Sequence, residues 1–263
     1  MKKNYNIGVF DSGVGGTTVL KEIINLLPNE NIIYYGDSGN APYGEKTSTE
    51  IQRLCLKIMD FLMANNCKAV VIACNTATAA SLEVIKEKFS LPVIGVINPG
   101  AKSAVNASIN KCVGVLSTPF TAKSNAYADA IAKINDTVKV YQEGCPELCP
   151  MIENEWESYA DREEVLKNHI SQFPKNVDTV VLGCTHYPIV RGDVAKIFCG
   201  NIVDPARETA LELQKTLKEL DLLTDSTNTG TLDFFVSGDM DKFRKVAEKF
   251  LGLNIKNMFQ VEK

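Results

Sequence analysis

The chain has 263 residues, 45% of them hydrophobic and 23% charged, with a formal net charge of −4. That apolar share supports a sizeable core and excludes a disordered chain, while the scattered lysines and arginines form no basic stripe and so exclude nucleic acid as the primary partner. Eight cysteines in a chain whose apolar runs are too short for a membrane span point to reduced thiols in a cytoplasmic protein, each structural, metal-binding or catalytic.

Residues 7–10, Ile-Gly-Val-Phe, are too short for the core of a signal peptide. They read as a buried strand, followed by a glycine-rich turn and a helical pattern over 17–27 that stops before Pro28. The same unit recurs along the chain. Residues 31–35 are strand-like, 49–65 helical, 69–73 strand-like, 77–89 helical and 92–97 a short strand. A second series has strands over 112–116 and 177–182 and a helix near 123–133, and the tail over 207–263 shows a helix, a strand at 232–237 and another helix. This alternation predicts an α/β fold with mainly parallel sheets flanked by helices.

Gly8-Val9-Phe10-Asp11-Ser12 aligns with Gly114-Val115-Leu116-Ser117-Thr118, 106 residues on from 8 to 114. Val70-Val71-Ile72-Ala73-Cys74 aligns with Val180-Val181-Leu182-Gly183-Cys184, 110 residues on from 74 to 184. Two such similar offsets indicate an internal duplication with one small insertion. We expect two similar domains related by a pseudo-two-fold axis, 1–97 plus 208–263 and 98–207, with the tail returning to the first. Each half then carries one cysteine at the carboxyl end of a strand, where α/β sheets gather ligands, and two facing halves make a cleft with one thiol on each wall.

Cys74 precedes Asn75-Thr76-Ala77-Thr78-Ala79-Ala80, so the thiol sits where a strand enters a helix, and the positive helix end favours thiolate. Cys184 precedes Thr185-His186-Tyr187-Pro188, and His186 is placed to tune or protonate it. The competing reading of either cysteine is a buried core thiol. Asp11-Ser12-Gly13-Val14-Gly15-Gly16 permits close backbone approach to a bound anion, yet Thr18 stands where a dinucleotide fingerprint needs its third glycine. Inverting a stereocentre requires removing a proton from one face and delivering one to the other, which two facing thiols accomplish without moving the substrate. The anion formed needs N–H and hydroxyl donors, for which Ser12, Asn75, Thr76 and Thr185 are candidates.

Taken in order, Asp11-Ser12-Gly13-Val14-Gly15-Gly16, Pro42-Tyr43-Gly44, Ala73-Cys74-Asn75-Thr76-Ala77 and Gly183-Cys184-Thr185-His186 resemble the glutamate racemases of the aspartate/glutamate racemase family over nearly the whole chain. The resemblance implies cofactor-independent interconversion of L- and D-glutamate to supply D-glutamate for peptidoglycan, in a homodimer with no bound metal. It also implies that Cys74 and Cys184 are the acid/base residues, that Asp11 orients or deprotonates Cys74, and that Glu153 and His186 serve Cys184. Asp11, Ser12, Pro42, Tyr43, Gly44, Asn75, Thr76, Thr118, Thr121, Thr185 and His186 would hold the substrate. The segment carrying Glu153 matches only loosely. Where family members often have Gly-Thr-x-Gly-Thr, this chain has Ser117-Thr118-Pro119-Phe120-Thr121, and Asn98 replaces a frequent acidic residue. A carboxylate beside Cys74 opposes thiolate by like-charge repulsion, so that pair titrates as one coupled system.

Four other readings compete. An aspartate-type racemase keeps the same two thiols, but its second motif tends to end in Glu rather than His186. A zinc site from Cys145, Cys149, Cys184 and His186 has the right residue types, with Cys184 and His186 closer than usual finger spacing. A non-catalytic acidic amino-acid binding protein would keep the cleft and lose turnover, and a pyridoxal enzyme needs a lysine that none of the four motifs contains.

Overall fold

The apolar run after Asn6 forms β1 (Asn6–Asp11), buried in all but its first residue. In the computed structural model, which describes residues 2–262, it is followed by α1 (Thr17–Leu26), β2 (Ile32–Gly36), α2 (Ser48–Ala64), β3 (Cys67–Ile72), α3 (Asn75–Lys88) and β4 (Val93–Gly95). Next come α4 (Ile97–Ala107), β5 (Cys112–Ser117), α5 (Pro119–Lys123), α6 (Ala126–Ile134), β6 (Lys139–Gly144), α7 (Leu148–Glu153), α8 (Arg162–Ile170), β7 (Thr179–Gly183), α9 (Arg191–Ile197) and β8 (Asn201–Val203). The chain closes with α10 (Pro205–Glu219), β9 (Leu232–Val236), α11 (Met240–Leu251) and β10 (Asn257–Gln260). None of the helices among the described residues is long and apolar enough to cross a membrane.

Two compact units divide the chain, Met1–Val96 with Ala206–Lys263, and Ile97–Pro205. The sheet of the first runs β10-β9-β2-β1-β3-β4 and that of the second β6-β5-β7-β8, with every recorded strand pair parallel. Parallel strands with helices on both faces are buried on both sides, which is why β1, β3, β5 and β7 read as continuous apolar runs. The tail adds β9 to the exposed side of β2, pairing Ile32 with Leu232 through Gly36 with Val236.

The duplication read from the sequence is visible in strand order. β2-β1-β3-β4 has the same connectivity as β6-β5-β7-β8, and Phe10 pairs with Ile72 as Leu116 pairs with Leu182. Just beyond the strands, the Asp37 N–H donates to the Asp11 carbonyl, and the Cys145 N–H donates to the Ser117 carbonyl. Asp37 and Cys145 therefore occupy matching places, as do Asp11 and Ser117.

The stretch predicted as a strand over 92–97 is shorter, because Ile97 already opens α4. Pro99 and Gly100 lie in the first turn of that helix, where a missing N–H costs no hydrogen bond, so they continue the structure instead of breaking it. The capping box of Thr47 and Glu50 starts α2, the Thr47 side chain accepting from the Glu50 N–H while the Glu50 carboxylate accepts from the Thr47 N–H.

Candidate active site

In the first unit the polar residues collect beyond the carboxyl ends of β1, β2 and β3. Cys74 is the N-cap of α3, its Sγ accepting from the Ala77 N–H at 3.3 Å, so the thiol occupies the positive end of the helix dipole. It is 6% exposed and lies 3.5 Å from the Ser12 hydroxyl. Asn75 and Thr76, both buried, form the first turn behind it. Asp11 is fully buried and accepts from the Gly13 N–H at 2.9 Å. The Tyr34 hydroxyl donates to the Gly13 carbonyl at 2.9 Å, and burial, with the nearby charges of Asp11 and Cys74, holds that phenol well above its usual range.

Gly16 lets this loop close on itself. A Cβ there would stand 2.5 Å from Asp11 Cβ, 2.8 Å from the Tyr34 hydroxyl and 2.9 Å from Ala73 Cβ, so in this packed core a neighbour must shift to admit it. Gly16→Ala is expected to leave a folded protein that displaces Asp11 and loses about 10²-fold in turnover, the usual effect of an ångström-scale misplacement. Circular dichroism of the folded state beside a turnover assay checks this, and full activity would remove Asp11 from the site.

Pro42, exposed and following the cis peptide from Ala41, caps the 3-10 turn Tyr43–Glu45 that contains Gly44. Tyr43 is buried and donates to Asp37 Oδ2 at 2.5 Å. Asp37 Oδ1 also accepts from the Ser237 hydroxyl at 2.6 Å and from Asn40 Nδ2 at 2.9 Å. Burial first, then the Asp37 charge, raise the Tyr43 phenol far above its ordinary value, so it stays neutral and keeps the proton it donates to Asp37. This carboxylate anchors the Pro42-Tyr43-Gly44 segment to β9.

In the second unit Cys184, 7% exposed, directly follows β7. His186 Nδ1 lies 3.6 Å from its Sγ, and His186 Nε2 is 2.8 Å from Glu153 Oε1. Glu153 ends α7, and the helix brings this carboxylate to the imidazole across 33 residues of sequence. Cys149, on the same helix, places its Sγ 3.3 Å from that of Cys184. The hydrogen bond with Cys149 and burial raise the Cys184 thiol well above its ordinary pKa, against the opposing pull of His186. At His186 burial disfavours the imidazolium, but the bonds to Cys184 and Glu153 outweigh it and raise its pKa. Glu153 thus holds the imidazole from one side while Cys184 meets it from the other. Thr185 is buried between them in sequence.

Thr118 caps α5, accepting from the Thr121 N–H at 3.4 Å, and the two threonine hydroxyls lie 3.1 Å apart. Thr118 follows β5 one step beyond Ser117, whose strand partner is Gly183, so this loop and Cys184 leave neighbouring strand ends. Pro119 takes the first turn of α5, where proline is tolerated.

The other cysteines separate from these. Burial pushes the Cys55 and Cys67 thiols up to about 12, which makes them inert core groups. Cys145 Sγ donates to the Glu143 carbonyl at 3.7 Å and is not among the clustered ligand atoms of Cys149, Cys184 and His186, so three of the four residues of the zinc reading converge. All eight cysteines are free thiols. Tyr34 and Asp37 were missed in the sequence. Their only signal is that a buried phenol or carboxylate needs a partner, and which partner it finds is set by the fold.

A family model described as Asp/Glu/Hydantoin racemase matches residues 7–213. The glutamate racemase of Fusobacterium nucleatum is 48% identical over 255 residues, covering 97% of both chains. Among solved structures, glutamate racemase isoform RacE1 from Bacillus anthracis has a TM-score of 0.95 at 38% identity, covering 99% of this chain and 98% of its own. Glutamate racemase from Francisella tularensis, solved in complex with D-glutamate, has a TM-score of 0.93 at 38% identity with the same coverage. On matched length, sequence and fold together, the chain belongs to the Asp/Glu/Hydantoin racemase family.

Proposed function

We propose that this protein interconverts L-glutamate and D-glutamate, with Cys74 and Cys184 as the two acid/base groups. One observation carries the reading: each unit holds a thiol just beyond the carboxyl end of the corresponding strand, β3 or β7, Cys74 capping a helix next to the strand that ends in Asp11 and Cys184 beside an imidazole held by a carboxylate. The substrate follows from the relatives, which are named for glutamate.

One thiol, as thiolate, takes the α-proton while the other, still protonated, gives its own to the opposite face. The planar carbanion stays in place and is protonated on the opposite face, which inverts the centre, and the two sulphurs exchange protonation states. No net charge is created outside the site. The Ser12, Asn75, Thr76, Thr118, Thr121 and Thr185 donors hold the substrate and the charge that develops at its carboxylate. His186, held by Glu153, stabilises Cys184 when it is thiolate. Asp11 accepts from the loop that carries Ser12 and positions it at Cys74. The chemistry as proposed needs no cofactor. The further expectations are a homodimer in the cytoplasm and a supply of D-glutamate for peptidoglycan.

Turnover of L-glutamate in deuterated water tests this, with glutamate and aspartate compared by polarimetric circular dichroism. The D-glutamate formed early should carry deuterium at the α-carbon while remaining L-glutamate stays unlabelled. Product that retains the original hydrogen would point to a single shuttling base, and faster turnover of aspartate would reassign the substrate.

A further inference from the structure

We infer that Cys149, Cys184 and His186 form a binding site for a thiophilic divalent cation of the zinc class, which silences the protein by occupying Cys184. The inhibitory consequence rests on the acid/base role proposed above, whereas the binding does not. No step of the proposed reaction uses Cys149, yet it is half-buried with its sulphur 3.3 Å from that of Cys184.

Zinc bound at about 2.3 Å from sulphur and about 2.0–2.1 Å from nitrogen, in a tetrahedron, sets its ligand atoms about 3.5–3.8 Å apart. The Cys149 to Cys184 separation of 3.3 Å and the Cys184 to His186 Nδ1 separation of 3.6 Å already fall within a few tenths of this. All three ligand atoms lie within 4.8 Å of one another. The remaining edge, no longer than 4.8 Å, is the one that closes to complete the tetrahedral face.

The imidazole is set up for a ligand's part. Its Nε2 lies 2.8 Å from Glu153 Oε1, so Nε2–H donates to the carboxylate and Nδ1 is the nitrogen that faces the sulphurs. Metal-bound histidines are commonly held by a carboxylate in this way, which fixes the ring and strengthens the lone pair. Two sulphurs and one imidazole favour a borderline-soft ion over magnesium or calcium, which take oxygen ligands. On binding, each ligand surrenders its proton to solvent and donates an electron pair. No ligand is oxidised. Three protein ligands leave a fourth position for water or a carboxylate. A sulphur committed to the ion no longer takes or returns a proton.

The test uses the whole chain, reduced and freed of metal with a chelator, titrated with cobalt(II) under argon. One equivalent should produce thiolate-to-cobalt charge-transfer absorption and tetrahedral ligand-field bands, and zinc should abolish both. Cys149→Ser should weaken binding by at least the about 10–100-fold that loss of an outer hydrogen-bond partner causes. In chelated buffer the variant's own turnover is the reference, and zinc at a concentration that stops the parent should leave that turnover unchanged. Absence of the charge-transfer band at one equivalent, or unchanged affinity in Cys149→Ser, overturns the site. Binding that leaves turnover intact overturns the inhibition. A chain that binds cobalt but racemises nothing would preserve the site and count against the racemase reading alone.

Discussion

Cys184→Ala and Cys74→Ala are each expected to lower racemisation of glutamate by about 10²–10⁴-fold, the usual contribution of one positioned acid/base group. Both thiols are nearly buried, at 7% and 6% exposure, and alanine removes only one sulphur, so the fold should survive. The two losses should differ in kind. Each variant keeps one thiol on one face of the substrate, so residual exchange of the α-hydrogen with deuterated solvent should be confined to one enantiomer, the opposite one in the two variants. Proton NMR of L- and D-glutamate incubated separately reads this directly. Exchange of the same enantiomer by both variants, or near-normal racemisation by either, would return that cysteine to the core. Cys55, pushed up to about 12 by burial, serves as the control, since Cys55→Ala should change packing rather than chemistry.

The second large effect is on stability. Lys68 on β3 and Glu30, just before β2, form an ion pair at 2.5 Å whose side chains are 0% and 2% exposed. Lys68 also donates to the Lys3 carbonyl, and the other Glu30 oxygen accepts from the Thr224 N–H at 2.8 Å. The pair thus ties the amino end of the chain and the tail to the amino ends of the strands, the opposite end of the sheet from Cys74. Lys68→Met should strand the buried carboxylate without its cation and cost about 3–5 kcal/mol. Lys68→Met combined with Glu30→Gln should cost less, because no bare charge is left buried while an acceptor for Thr224 is retained. Urea denaturation of the three proteins measures both differences, and turnover per folded molecule should be unaltered. A single variant as stable as the parent would show that the charge is relieved by rearrangement.

Parallel strands covered on both faces produce apolar runs that stop at a polar residue, so β1, β3, β5 and β7 could be read from the sequence together with the residues at their ends. This is why Asp11, Cys74 and Cys184 were legible. The strands that escaped notice lie at sheet margins. β6 (Lys139–Gly144) and β10 (Asn257–Gln260) are each paired on one side only, the first mostly half-buried and the second mostly exposed, so their side chains are mixed and leave no periodic trace. β8 has three residues, too few for any pattern.

Local sequence determined the strand-and-helix alternation, the internal repeat and the placement of two cysteines at strand ends, because burial and capping act over a few neighbouring residues. Only the tertiary structure decided that Glu153 meets His186, that Cys149 lies against Cys184, and that Asp37 gathers Tyr43, Asn40 and Ser237. Three of these five contacts join residues 33, 35 and 200 positions apart. Hydrogen bonds and packing between such partners depend on how helices and strands stack, which no local pattern records.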